Sequence, residues 1–179
     1  MLMSDKSVLV VIDMQGKLAQ SMYHKELLFE NVGKIIKGAQ VLGIPILLTE
    51  QNPKGLGPTI PEIADLVPNI RRIPKVSFSC CGDELFSKEF SALQRSQVLL
   101  TGIEAHVCLY QTTVDLAACG YDVHVVADAV SSRTAENRDI GLQKMKDAGA
   151  SITSVETALF ELLRVAEGDK FKAIIRIVK

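Results

Sequence analysis

The sequence predicts a Rossmann-like α/β protein: a three-layer α/β/α sandwich around a six-stranded, mostly parallel sheet. Three observations carry this reading. Short apolar, β-branched runs alternate six times with longer stretches whose apolar residues recur at helical spacing. The connections between them are short, so right-handed crossovers lay helices on both faces of the sheet. The first run, Ser7–Ile12, is continuously apolar rather than alternating, as suits a strand buried on both faces. A length of 179 residues, 47% hydrophobic and 23% charged, fits one domain spanning residues 1–179.

Taken in order, Ser7–Ile12 is the first strand and stops at Asp13. Leu27 to Leu42 carries Leu28, Val32, Ile35, Ile36, Ala39 and Leu42 at helical spacing, and Gly43 lies where a C-cap glycine belongs. Ile44 to Thr49 is the second strand, with Pro45 near its start, where a ladder tolerates proline best. Five prolines and glycines between Gln51 and Pro61 mark a loop, and Pro61-Glu62 opens a short helix. Ile70 to Ile73 is a weak third strand, ended by Pro74. Glu84 to Leu93 is helical, Gln97 to Thr101 is the fourth strand, and His106 to Cys119 is a helix closed by Gly120. Asp122 to Asp128 is the fifth strand, Ala135 to Ala148 a helix, Ala150 to Thr153 the sixth strand and Val155 to Val165 the last full helix. The apolar, basic tail, residues 168–179, packs either on its own domain or on a neighbouring subunit.

Composition narrows the function classes. Net charge is −1, there is no basic run and no tryptophan, so neither nucleic acid nor an anionic membrane surface is an expected partner. No apolar stretch approaches the roughly 20 residues of a membrane span. The N-terminal residues lack a separate apolar core, which makes cytoplasm the expected location. Cys80, Cys81, Cys108 and Cys119 read as reduced thiols. Without CxxC or histidine-pair spacing, no metal and no cofactor are expected. The turn after the first strand, Asp13-Met14-Gln15-Gly16-Lys17, is not a glycine-rich phosphate loop, which argues against nucleotide binding.

Ligands of open parallel sheets bind outside the carboxyl ends of the strands. Those ends carry Asp13, Glu50-Gln51, Lys75, Gly102 to Cys108, and Asp128. A carboxylate, an ammonium and a thiol thereby share one rim. Alone, Cys108 reads as a buried small hydrophobe. At a helix start it would sit near unpaired N–H groups and the positive end of the macrodipole, and with a lysine nearby these favour the nucleophilic thiolate.

Four ordered segments carry a family resemblance: Val10-Val11-Ile12-Asp13-Met14-Gln15, Lys75-Val76-Ser77-Phe78-Ser79, Gly102-Ile103-Glu104-Ala105-His106-Val107-Cys108, and Gly120 to Ala129. Along almost its whole length the chain resembles the isochorismatase-like cysteine hydrolases, and most of all their isochorismatase domain-containing branch. The resemblance implies the isochorismatase-like hydrolase fold, with Asp13 as general base, Cys108 as nucleophile and Lys75 holding the pair by charge. It also implies an oxyanion hole at the backbone N–H groups of Glu104 and Cys108, and a cis peptide between Ile103 and Glu104. Gln15, Gln51 and Phe78 would line the substrate pocket, Gln15 alternatively anchoring its loop. Members that hydrolyse nicotinamide carry a metal-binding aspartate and histidines after the second strand. Here Thr49-Glu50-Gln51-Asn52-Pro53-Lys54 holds no histidine, so that activity is not expected.

Asp128 reads as ordering the loop before Ser131 and Ser132. His106 lies two positions from Cys108, too close in sequence to share its helical face. The expected function is hydrolysis of a small amide, carbamoyl or related acyl compound through a covalent intermediate, in a homo-oligomer. The competing reading is an idle fold with a binding or scaffolding role.

Overall fold

Strand β1 (Ser7–Ile12), apolar at nearly every position, is buried at every position and occupies the interior of the sheet. The computed structural model describes residues 1–179. It adds β2 (Ile46–Gln51), β3 (Arg72–Lys75), β4 (Gln97–Ile103), β5 (Asp122–Ser131) and β6 (Ser151–Thr153), in the order β3-β2-β1-β4-β5-β6. Every neighbouring pair is parallel, so the sheet is wholly rather than mostly parallel.

Successive strand residues point to opposite faces, and this splits the core in two. Leu9 and Val11 of β1 face helices α2 (Lys25–Leu42), α8 (Val155–Leu163) and α9 (Gly168–Val178). Val8, Val10 and Ile12 face α5 (Glu84–Ala92), α6 (Tyr110–Ala118) and α7 (Ala135–Asp147). The result is the expected three-layer sandwich. No helix is long and apolar enough to cross a membrane.

The order reverses at β1, whose neighbours are β2 on one side and β4 on the other. The crevice beyond the carboxyl ends of β1 and β4 is therefore the switch point of the fold. There the two strands approach so closely that a side chain on Gly102 could not fit. Its φ is +117°, and a Cβ would lie 2.1 Å from the Ile12 carbonyl oxygen.

Several boundaries differ from the sequence reading, mostly near the rim. Strand β3 passes through Pro74 instead of ending before it, because an edge strand paired on one side tolerates the missing N–H. Strand β5 continues to Ser131, so Asp128 lies within it, not beyond it. Two short helices, α1 (Gly16–Gln20) and α3 (Pro53–Leu56), occupy segments without helical periodicity, and α4 (Pro61–Ala64) is the expected one. The helix expected from His106 begins instead as a π-helical turn, Ala105–Leu109, before α6.

The tail packs on its own domain. It forms α9, with Phe171, Ile177 and Val178 against the α2 layer and Ile174 fully buried. Truncating Ile174 to alanine should cost about 2–3 kcal/mol through lost burial and a residual cavity. Thermal denaturation reads this directly, and an unchanged Tm would contradict a docked helix.

Candidate functional site

Where β1 ends, Asp13 adopts a left-handed backbone (φ 54°), a conformation that aspartate tolerates better than most residues. This turns its buried carboxylate into the crevice. One oxygen accepts from Thr49 Oγ1 at 2.8 Å, the other from Lys75 Nζ at 2.7 Å. Lys75 leaves the end of β3 and runs inward beneath the rim, its side chain wholly buried. Its ammonium also donates to Gln51 Oε1 at 2.7 Å and to the carbonyls of Phe78 (3.1 Å) and Ser77 (3.3 Å). Four acceptors around three hydrogens leave this buried charge fully compensated. Burial is the largest single influence and works against the lysine's charge, but Asp13 together with Cys80 and Cys108 outweighs it and raises its pKa.

Cys108, in the π-helical turn after β4, lies beside the Asp13 carboxylate at the same cavity. Burial first, and the Asp13 charge second, push its thiol well above the ordinary range, with Lys75 offsetting only part. This corrects the expectation of a resting thiolate. The thiol is 7% exposed and beside a carboxylate, so the lost hydration exceeds what the lysine returns.

A second thiol lies close by. Cys80 is fully buried near Lys75 and Asp13, and burial pushes it up to about 12. The spacing of Cys80 and Cys81 gave no sign of this proximity, which arises only when the turn after β3 folds against α6.

These shifts have one sign. Cys80 and Cys108 stand above their ordinary 9.0 and Lys75 above 10.5, so the folded state keeps protons that the unfolded chain releases. Stability from these groups is complete below pH 9 and is lost as pH rises towards the folded values. A Tm series from pH 8 to 10.5 should therefore fall in its alkaline half, and a flat series would refute the shifts.

A cavity of about 100 Å³ opens above Cys108, with Asp13, Gln51, Phe78, Ile103 and Glu104 around it. Gln51 and Phe78 thus lie at the cavity. Gln15 does not: it is fully buried and anchors the loop, donating to the carbonyls of Gln51 (3.1 Å) and Gly57 (2.7 Å) and accepting from Gln51 N (2.6 Å). An amide flanked by backbone partners on both sides has no group left for a ligand. Leu18 of α1, Leu56 of α3 and Val107 complete the wall. The two leucines escaped notice because neither short helix shows a periodic pattern.

The Ile103–Glu104 peptide is cis. The Glu104 carboxylate accepts from Arg133 Nε at 3.1 Å and from Arg133 N at 3.3 Å, a pairing no motif announced. His106 points away and meets Ser132 Oγ at 2.9 Å. Asp128 accepts from Val155 N at the start of α8, so it orders that helix rather than the loop before Ser131. It also borders a larger cavity of about 180 Å³, with Tyr23, His24 and Arg138, which holds no thiol. Glu50 is occupied by Thr59, and no three His, Cys, Asp or Glu side chains gather to hold a metal.

Residues 7–157 match the model of the isochorismatase domain. The chain belongs to the isochorismatase family. Isochorismatase domain-containing protein 2 of Xenopus laevis is 38% identical over 172 residues, covering 96% of this chain and 83% of that protein. The solved structure of MAR1 ribonuclease from Caenorhabditis elegans superposes with a TM-score of 0.92 at 36% identity, covering 99% and 91% of the two chains. YcaC from Pseudomonas aeruginosa, solved with hexane-2,5-diol and covalent acrylamide, gives a TM-score of 0.92 at 25% identity over 98% and 90%. This isochorismatase-family hydrolase thus shares its architecture with these proteins across nearly its whole length.

Proposed function

We propose that this isochorismatase-family hydrolase cleaves a small amide, carbamoyl or related acyl compound, with Cys108 as nucleophile, Asp13 as general base and Lys75 as the charge that holds Asp13. One observation carries the reading: a thiol and a carboxylate share the floor of one cavity at the switch point, with a wholly buried ammonium paired behind the carboxylate. An idle binder or scaffold has no use for such a group, since a buried ion pair costs desolvation and is weak evidence for stability. The acrylamide held covalently by the Pseudomonas neighbour supports a reactive nucleophile within this architecture.

The proton path follows from the resting states. The Cys108 proton passes to Asp13 as sulfur attacks the carbonyl carbon, and the oxyanion is received by the backbone N–H groups of Glu104 and Cys108. Asp13 returns that proton to the departing amine as the C–N bond breaks and a thioester forms. Water, deprotonated by Asp13, attacks the thioester, the C–S bond breaks, and the proton returns to the thiol. Lys75 keeps its charge throughout and holds the carboxylate in place.

The C. elegans neighbour's name raises phosphodiester cleavage as another activity. The cavity offers it little, because the Lys75 ammonium is sealed behind Asp13 and Arg133 is held by Glu104. Self-association stays part of the proposed reading, on a surface other than the buried face of α9. A screen of amides and carbamates, with mass spectrometry for an acyl adduct on Cys108, tests the function. Turnover that persists in Cys108→Ala would exclude covalent catalysis.

A further inference from the structure

We propose that the Glu104–Arg133 pair and the apolar wall make this cavity admit compact, uncharged ligands and turn away anions. As a statement about substrate, it rests on the hydrolase reading: the preferred amide is uncharged and carries a short aliphatic acyl group.

The charged side chains at the cavity are already paired. Asp13 is balanced by Lys75, and Glu104 by Arg133. Gln51 gives one amide N–H to the Val76 carbonyl at 2.7 Å and its oxygen to Lys75. Asp13 and Glu104 have no donor to offer a carboxylate or phosphate, and Gln51 keeps a single amide N–H. An anion entering here would lose its hydration, find only the remaining Gln51 N–H and the backbone N–H groups proposed for the oxyanion, with no unpaired cation among these side chains, and face two carboxylates. A cationic ligand fares little better, because each carboxylate already has its cation. What remains is apolar: Leu18, Leu56, Phe78, Ile103 and Val107.

Size points the same way. A cavity of roughly 150 Å³ accommodates benzene, whereas this one measures about 100 Å³. An acyl group of a few carbons fits within it, whereas an aromatic ring exceeds it and has to extend beyond it towards solvent.

Arg133 is the latch. Its side chain is 59% exposed at the rim, and its Nε is engaged by Glu104. Neutralising Glu104 releases the guanidinium towards the cavity mouth, where it would attract the anions now excluded. Removing Arg133 instead leaves the Glu104 charge uncompensated and strengthens the exclusion.

Iodoacetamide and iodoacetate, similar in size and differing in charge, test this by mass spectrometry of Cys108, with exposed Cys119 as internal reference. Relative to Cys119, wild-type Cys108 should favour iodoacetamide by about tenfold or more; Glu104→Gln should narrow that preference to about threefold, and Arg133→Met should widen it. The size part is read with butyramide against benzamide in the wild type, where butyramide should be turned over faster. Equal labelling of wild-type Cys108 by both reagents, or a Glu104→Gln preference equal to wild type, overturns the charge filter even if amides are hydrolysed. Benzamide turned over as fast as butyramide overturns the size limit. Labelling preference with no turnover of any amide upholds the charge filter and removes the hydrolase reading alone.

Discussion

Cys108→Ala lowers kcat for amide hydrolysis by about 10⁴-fold or more, because a nucleophile acting as one unit with its base leaves little behind when removed. The effect exceeds any expected change in folding. Cys108 fills a small position in the α5–α7 half of the core, and a single sulfur lost there costs on the order of 1 kcal/mol. Cys108→Ser is the sharper experiment. The hydroxyl keeps the shape and the place beside Asp13, but alcohol oxygen gives up its proton far less readily than sulfur. A carboxylate base that manages a raised thiol cannot do the same for serine, so activity should stay below about 1% of wild type. Because the Cys108 thiol is held protonated by burial and Asp13, alkylation of the free enzyme should be slow at neutral pH and accelerate only in alkali. Fast alkylation at pH 7 would show a resting thiolate and require a different assignment of the base. Full activity in Cys108→Ser would remove the thiol from the chemistry.

Much of this site could be read from the chain because strand ends are legible. Continuous apolar runs such as Ser7–Ile12 and Gln97–Thr101 locate the strands, and parallel topology brings their carboxyl ends to one rim, so Asp13, Lys75 and Cys108 could be grouped without coordinates. What could not be read depends on contacts between those ends. Thr49 closes the second strand as an ordinary residue, and only the β1–β2 register places its hydroxyl on Asp13. The direction of the Cys108 shift depends on how deep the thiol lies and which of two opposite charges dominates. Neither is a property of local sequence. Leu18 and Leu56 belong to helices of five and four residues, too short to show a period. Arg133 lies 29 positions from Glu104 and meets it because β5 runs three residues past the point where its apolar pattern stops.

The buried ion pair makes the strongest claim about stability and separates it from activity. Lys75→Met should cost about 3–5 kcal/mol, because it strands the Asp13 carboxylate in a site with almost no exposure. Asp13→Asn should cost less, since the ammonium keeps Gln51 Oε1 and the Ser77 and Phe78 carbonyls as acceptors. The double variant, Asp13→Asn with Lys75→Met, removes both charges and should recover to within about 1–2 kcal/mol of wild type, since replacing a whole buried pair is often close to neutral. The coupling between the two sites should therefore be at least about 2–3 kcal/mol. Urea denaturation of the four proteins at pH 7 measures it. Additive single costs would mean that the 2.7 Å contact contributes nothing specific. Activity should follow a different order: all three variants lose it, and the restored fold of the double variant brings none back. A double variant that regained both stability and turnover would mean that the pair holds the fold and that the base lies elsewhere.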